Sequence, residues 1–180
     1  KMMFDKILDK DEEIVDIFKP NKTKLFVKTI VVSLLYLLFF VAVACIGMFV
    51  PGEGFEPLDA IWLLLPFGIL VLLEALVIIF TYMWYKKTFY AYTNKRVIMR
   101  TGIIGIDYKS LDIKMIGAID VYVSLFDKIV HKDTGSLRFG SMSSPINGQS
   151  SAFIFSHIEK PYENYKKIKE YIEEQKSKLN

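Results

Sequence analysis

TIVVSLLYLLFFVAVACIGMFV, the stretch Thr29–Val50, decides the fold class of this chain, because its 22 residues carry no formal charge. A helix of that length measures about 33 Å and would cross roughly 30 Å of bilayer hydrocarbon. A second apolar stretch, Ala60–Tyr85, holds 26 residues and one charged side chain, Glu74. The two stretches predict two membrane-spanning helices, over residues 29–50 and 60–85.

The link between the two stretches, residues 51–59, is short, acidic and rich in Pro and Gly. It predicts a turn that joins the helices into an antiparallel hairpin. Lys and Arg are absent from residues 29–85 but flank the hairpin, at Lys28 on one side and at Lys86 and Lys87 on the other. Positive residues mark the cytoplasmic side of a membrane. We therefore predict a multi-pass membrane protein with both termini in the cytoplasm and the link on the other side.

The composition supports this division into segments. The 180 residues are 52% hydrophobic and 24% charged, so the apolar and the charged residues are expected to occupy different parts of the chain. That pattern excludes a disordered chain, a collagen-like chain and an ordinary soluble domain. The single cysteine, Cys45, excludes a disulfide scaffold and a metal site built from several cysteines.

The segment before the hairpin, residues 1–28, mixes apolar and charged residues. Apolar side chains recur among charges in residues 3–8 and again in residues 14–18. This pattern predicts a cytoplasmic amphipathic segment that lies either on the membrane or on the soluble domain. The sequence is compatible with both surfaces.

From Lys86 onward, apolar residues alternate with polar ones, which is typical of β-strands with one buried face. A short helical turn is predicted over residues 124–130 and a polar loop over residues 143–151. Pro161 opens a C-terminal helix, about 161–176, with an apolar stripe along one face. Residues 86–180 therefore predict a soluble domain of α+β or all-β class. Its predicted strands are residues 89–93, 96–101, 104–111, 116–123, 135–141 and 153–155.

A family resemblance lies in the run Tyr90-x-Tyr92-Thr93-Asn94-Lys95-Arg96-Val97-Ile98-x-Arg100-x-Gly102. It resembles the opening of the bacterial pleckstrin-homology-like (PH-like) domain of integral membrane proteins. Further pieces follow in that family's order, in residues 116–128, 134–139 and 158–161. The preceding helix pair is also similar to the family's membrane hairpin.

The resemblance implies a membrane α-helical hairpin that carries a PH-like barrel of six to seven antiparallel strands closed by a C-terminal helix. It also implies a place in the inner cell membrane of a bacterium. It implies little about activity, because one fold serves many functions.

Residues that could carry catalysis or bind a cofactor are not arranged for either role. Gly102 and Gly105 lie in a loop between strands, with no following helix or Lys-Ser/Thr pair to hold a phosphate. His131 and His157 are the only histidines, and no carboxylates accompany them at ligand spacing. We predict no catalytic residues, no metal site, no cofactor and no enzyme activity.

Glu74 is the one residue whose position breaks a physical rule. It lies about 16 Å from the inner end of its predicted helix, where an unpaired charge is costly and by default functional. It could be protonated and hydrogen-bonded to Tyr36 or to the helix of a second protomer. It could instead serve proton- or ion-coupled transport, or recognise a second membrane protein. The sequence leaves these hypotheses open.

Five basic residues at the membrane junction and on the first strand pair are candidates for binding lipid head groups: Lys86, Lys87, Lys95, Arg96 and Arg100. The resemblance implies this role, because basic residues around the first loop of eukaryotic PH domains bind phosphoinositide head groups. The same residues could instead only follow the positive-inside rule, or attract anionic lipid at about 1 kcal/mol each without a pocket. A nucleic-acid partner is not expected, because the tethered basic face would meet the anionic leaflet and no nucleic-acid motif is present.

These observations favour a non-catalytic, membrane-anchored PH-like module that docks a protein partner, or assembles with itself as a homo-oligomer, at the cytoplasmic face of the bilayer. Its contact surfaces would be the free edges of the sheet and the loops 103–108 and 143–151. One alternative is a sensor of anionic lipid or envelope state that uses the five basic residues. A second alternative is a subunit of a membrane transport complex that uses Glu74.

Overall fold

The structure of the chain is a computed structural model. It describes residues 3–49, 57–125, 128, 133–141 and 153–179. The chain forms two compact units. One, here the sheet unit, comprises Lys1–Lys24 and Trp84–Asn180, and the other, the helix unit, comprises Leu25–Met83. Both ends of the chain therefore contribute to the sheet unit.

Two long helices make up the helix unit and continue into the sheet unit. They are α1, Lys22–Phe49, and α2, Pro57–Lys87. Their segments Lys22–Val43 and Phe67–Lys87 have mean hydropathies of 2.5 and 2.2. In each segment, no residue of the most apolar stretch of 18 residues is buried. By length and composition, both helices could cross a membrane.

Both helices extend beyond their apolar stretches at the ends nearest the sheet unit. α1 begins before Thr29 because Asn21 caps it, with the Asn21 Oδ1 accepting a hydrogen bond from the Lys24 N–H at 2.9 Å. α2 ends at Lys87, and Thr88 closes its last turn. The Thr88 amide and hydroxyl donate to the Trp84 carbonyl at 3.0 and 2.7 Å.

The first sheet contains four antiparallel strands in the order β1-β2-β3-β4. The strands are β1, Ile14–Phe18, β2, Phe89–Thr93, β3, Arg96–Thr101, and β4, Asp107–Asp112. The prediction of a third strand from residue 104 was wrong at its start. Gly102 has a φ of 151°, which side-chain-bearing residues rarely adopt, and it turns the chain so that β4 begins only at Asp107.

The N-terminal segment lies on the sheet unit, which decides between the two surfaces that its sequence allowed. Its β1 pairs with β2, with Phe18 opposite Tyr90. The Phe4 side chain is fully buried in a small cluster with Ala91 and Ile98. β1 precedes the two long helices and β2 follows them. The helices are therefore inserted between two hydrogen-bonded neighbours of one sheet.

The second sheet contains three antiparallel strands in the order β5-β6-β7. They are β5, Ile116–Tyr122, β6, Thr134–Ser141, and β7, Phe153–Glu159, and one turn of 3-10 helix, Ile113–Met115, leads from β4 into β5. β7 continues well past residue 155, where the prediction ended it. The predicted turn 124–130 lies mostly outside the described residues, and the predicted loop 143–151 lies wholly outside them.

The core between the two sheets is built on aromatic rings. The Phe155 ring stacks on Tyr90 with centroids 4.8 Å apart and meets Phe139 edge-on at 4.9 Å. A C-terminal helix, α3, Pro161–Leu179, covers this core with its buried Ile168 and Ile172. The seven strands in two sheets and the closing helix that the described residues form confirm the predicted PH-like fold class.

Candidate functional site

The five basic candidates lie at two ends of the β2–β3 hairpin instead of forming one cluster. Lys95 lies in the turn after β2 and Arg96 begins β3, whereas Arg100 pairs with Phe89 at the other end of the hairpin, about 14 Å along β3. Lys86 and Lys87, at the end of α2, belong to the Phe89 end. The two groups therefore lie apart along the hairpin, and head-group binding by any of the five stays a prediction.

Arg96 is held by a buried carboxylate that the sequence reasoning missed. Its Nε and Nη2 donate to Glu12 Oε1 and Oε2 at 2.9 and 2.7 Å, and Nη2 also donates to the Ile7 carbonyl at 2.6 Å. The Glu12 side chain is 0% exposed and that of Arg96 is 20% exposed. The guanidinium therefore binds a carboxylate of the protein itself, in the bidentate geometry that binds carboxylates most strongly.

Further hydrogen bonds hold the Glu12 carboxylate in its charged form. The Thr93 hydroxyl donates to Oε1 at 2.7 Å and the Asp9 amide donates to Oε2 at 3.1 Å. Burial raises the pKa of Glu12, but the hydrogen bonds from Arg96, Thr93 and Asp9 outweigh it, so the pKa lies below its ordinary value. Glu12 and Arg96 together fasten the N-terminal segment to the β2–β3 turn. No signal in the sequence links the two, because they are far apart along the chain.

The other basic candidates also have contacts within the sheet unit. Lys87 Nζ donates to the carbonyls of Ile103 and Ile104, at 2.5 and 2.9 Å. Arg100 Nη1 lies 3.0 Å from the Met3 sulfur. Lys95 Nζ lies 3.9 Å from Asp9 Oδ2, and both of these side chains are exposed, so this pair contributes little to stability. Lys86 also interacts with another group of the protein.

Aromatic rings and cations lie near the connection between α2 and β2. Lys19 Nζ lies 4.4 Å from the centroid of the Tyr85 ring and 4.9 Å from that of Phe89. The Arg100 guanidinium lies 5.6 Å from the same Phe89 ring. These distances are within the range of cation–π attraction. We call this group, Lys19, Tyr85, Phe89 and Arg100, the junction cluster.

Glu74 lies within α2, with Tyr36 on α1. The Glu74 side chain is half-buried and that of Tyr36 is 62% exposed. Both residues lie in the described part of the helices, and no hydrogen bond joins the two side chains there. The pairing of Glu74 with Tyr36 or with a second protomer stays a prediction.

No group of three His, Cys, Asp or Glu side chains that could hold a metal ion occurs in the described part of the chain. His131 lies outside that part. His157 lies in β7 with a φ of 59°, and its amide donates to Ser136 Oγ at 3.3 Å.

The loop between β3 and β4 and the outer strand β4 are two surface features whose details the sequence did not predict. The loop between β3 and β4, Gly102–Ile106, exposes Ile103, Ile104 and Ile106. β4 is an outer strand of the first sheet, and all of its residues except Leu111 are exposed. The sequence marked this region as a contact surface, but the placing of the loop beside Lys87 could be seen only in the structure.

Comparison with known proteins assigns the chain to a family. The bacterial PH domain family matches residues 29–176, which include all of α2, most of α1 and most of the sheet unit. A search of the curated proteins gives no match. Among solved structures, a DUF1696 family protein with a pleckstrin-homology domain from Shewanella loihica PV-4 is similar at 10% identity and a TM-score of 0.43, over 95% of this chain and 91% of that one. The chain belongs to the bacterial PH domain family.

Proposed function

We propose that this protein is a non-catalytic, membrane-anchored PH-like module that docks an extended segment of a protein partner along the free edge of β4, at the cytoplasmic face of the membrane. The observation that carries the proposal is the regularity of that edge. In the described part of the sheet, β4 pairs only with β3, and the six residue pairs from Arg96–Asp112 to Thr101–Asp107 run without a register shift.

The other outer strands are less suited to pairing. A register shift interrupts the pairing of β1 between Ile14 and Asp16, and that of β5 between Ile116 and Ala118. The pairing of β7 with β6 is interrupted between Gly135 and Leu137. Bulged edges resist the addition of a further strand, whereas a regular edge presents a row of N–H and C=O groups that can bind one.

The side chains of β4 favour selective pairing. Asp107, Lys109 and Asp112 place charges of both signs along the edge, and Tyr108 adds an exposed aromatic ring. Charges on an edge strand oppose indiscriminate aggregation, and they favour a partner with complementary charges. A second copy of the chain is one such partner, since two antiparallel β4 edges could pair about a twofold axis.

Membrane anchoring is supported by the length and hydropathy of α1 and α2, and the cytoplasmic side is supported by the absence of Lys and Arg from residues 29–85. A non-catalytic role agrees with the general behaviour of PH-like domains.

The two alternative functions have less support. Lys87 and Arg96 bind groups of the protein itself, which weakens the case for a head-group pocket, and no described contact of Glu74 indicates transport.

Photo-crosslinking in living cells tests the docking surface. A benzophenone amino acid replaces Lys109 or Ser110, which point to opposite faces of β4, and replaces the exposed Tyr162 on α3 as the control. A discrete adduct at a β4 position and none at residue 162 supports the proposal. An adduct of twice the 20.8 kDa chain mass identifies self-assembly. No adduct at either β4 position contradicts docking at this edge.

A proline pair separates edge pairing from side-chain contact. Alternate amides of an edge strand face the neighbour and the free side, so of Lys109→Pro and Ser110→Pro only one removes a free-side N–H. We expect the variant that removes a free-side N–H to keep its thermal stability and to lose the crosslinked adduct formed at the other β4 position. An adduct that survives this change contradicts pairing through the β4 backbone.

A further inference from the structure

The loop Gly102–Ile106 presents apolar side chains that the fold of the sheet unit does not cover. Ile103, Ile104 and Ile106 are all exposed, and Ile104 is 88% exposed. Apolar residues that are scattered singly are normal on a protein surface, but these three isoleucines lie within four consecutive residues of one loop, and grouped exposed apolar residues often mark a contact site.

The loop is held next to the end of α2. Lys87, the last residue of that helix, donates from its ammonium group to the carbonyls of Ile103 and Ile104. Lys87 is also the last residue of the apolar segment that could cross a membrane. Because Lys87 contacts both carbonyls, the loop lies beside the residue at which α2 would leave the bilayer.

The surroundings of the loop are typical of a membrane interface. The junction cluster places Lys19 and Arg100 against the rings of Tyr85 and Phe89 at this end of the sheet. Tyr and basic side chains of this kind collect at the head-group level, with the apolar part directed inward and the charge directed to water. The cations also favour anionic lipid over neutral lipid at this position.

The loop is built into a defined shape that would suit insertion. Gly102 adopts a φ of 151°, and a Cβ atom there would lie only 2.1 Å from the Gly105 carbonyl oxygen, so the loop folds back tightly on itself. Next to the loop in sequence, the Tyr108 hydroxyl donates to the Met3 carbonyl at 3.0 Å, and the side chains of both residues are exposed.

We infer that Ile103, Ile104 and Ile106 enter the interfacial layer of the leaflet next to Lys87, so that the loop is a second membrane contact of the sheet unit. The partner is the lipid surface itself, and no head-group pocket is needed. This contact would fix the orientation of the sheet unit on the membrane. The inference rests on the proposed membrane anchoring of α2 and is independent of docking at β4.

Spin-label depth measurements on the full chain test the inference. The chain is reconstituted into nanodiscs of phosphatidylcholine and phosphatidylglycerol, with Cys45→Ala as the background. A nitroxide is attached at Ile104→Cys, and at Ile79→Cys on α2 as the lipid reference. Lys95→Cys, at the opposite end of the β2–β3 hairpin, is the aqueous reference. Collisions with oxygen report lipid, and collisions with a soluble nickel chelate report water.

We expect residue 104 to collide more with oxygen than with the chelate, as residue 79 does, and residue 95 to show the reverse. Residue 104 behaving like residue 95, while residue 79 remains in lipid, overturns the inference and leaves the anchoring of α2 intact. Residue 104 shielded from both reagents also overturns it and indicates a protein partner. Residue 79 open to the chelate overturns the anchoring and the inference together.

A second variant tests whether the apolar side chains carry the contact. Ile104→Asp is combined with the spin label at Ile106→Cys. We expect the label at residue 106 to change from oxygen-accessible to chelate-accessible when residue 104 becomes Asp. An unchanged accessibility at residue 106 would show that the loop does not depend on its isoleucines for its position and would overturn the inference.

Discussion

The carboxylate of Glu12 and the guanidinium of Arg96 form a bidentate pair, with one oxygen–nitrogen distance of 2.9 Å and the other of 2.7 Å. Glu12 precedes the two long helices and Arg96 follows them. The pair therefore joins the two chain segments from which the sheet unit is built, next to the pairing of β1 with β2.

Loss of one partner of this pair should be strongly destabilising. Arg96→Ala leaves a fully buried carboxylate without its counter-charge, and we expect the free energy of unfolding to fall by about 3–5 kcal/mol. The exposed pair of Lys95 and Asp9 provides the control, because Lys95→Ala should change the free energy of unfolding by less than about 1 kcal/mol. Denaturation of the full chain in detergent, followed by near-ultraviolet circular dichroism, measures both. Equal stabilities of the two variants would contradict this role of Arg96.

The same pair makes stability depend on pH. The pKa of Glu12 is lowered on folding. The stability that its ionised carboxylate contributes is therefore complete above the ordinary pKa of 4.5 and is lost as the pH falls through the lowered pKa. The Glu12→Gln variant lacks this titration. We expect its melting temperature to fall less than that of the wild type between about pH 5 and pH 3. Parallel pH profiles for the two proteins would show that Glu12 is not held in its charged form.

Asn21 fixes the start of α1 against β7. Its Oδ1 caps the helix, its Nδ2 donates to Glu159 Oε1 at 2.6 Å and its amide donates to the His157 carbonyl at 2.6 Å. Asn21→Ala should cost about 1 kcal/mol and should speed the hydrogen exchange of the first amides of α1. Asn21→Asp retains the cap and loses the donor to Glu159, so its exchange should be intermediate. Unchanged exchange in both variants would contradict the cap.

Gly135 allows α3 to begin directly on β6. A Cβ atom there would lie 2.9 Å from Pro161 Cγ and 3.2 Å from the Tyr122 carbonyl oxygen. Gly135→Ala must push the first turn of α3 away, and we expect a loss of about 1–3 kcal/mol. Gly105→Ala is the matched control, since a Cβ atom at Gly105 meets nothing within 4 Å. Thermal unfolding compares the two variants, and equal melting temperatures would show that α3 does not depend on this close approach.

The periodicity of the sequence predicted most of the fold. The long apolar stretches and the alternation after Lys86 led to α1, α2 and most of the strands of the sheet unit, and Pro161 marked the start of α3. β1 was missed because Ile14–Phe18 is a short run among charges, and its partner follows the whole helical insertion. A strand whose partner is so distant in sequence leaves no local signal.

The candidate site was predictable only in part. Lys87, Lys95 and Arg100 are near one another in sequence, but a β-hairpin separates residues at its turn from those at its open end, so the expected cluster is divided. The carboxylate that engages Arg96 comes from the N-terminal segment, which the sequence could not place. The contact of Lys87 with the β3–β4 loop depends on the path of the chain after α2 and has no sequence signature.

Labelling of single cysteines with a membrane-impermeant maleimide tests the central claim, that α1 and α2 anchor the sheet unit at the cytoplasmic face of a membrane. The full chain with Cys45→Ala carries one cysteine, either at Glu53→Cys in the link or at Lys109→Cys on β4. We predict that residue 53 is labelled in cells whose inner membrane is intact, and that residue 109 is labelled only after that membrane is permeabilised. Labelling of residue 109 without permeabilisation, with residue 53 protected, would contradict the account.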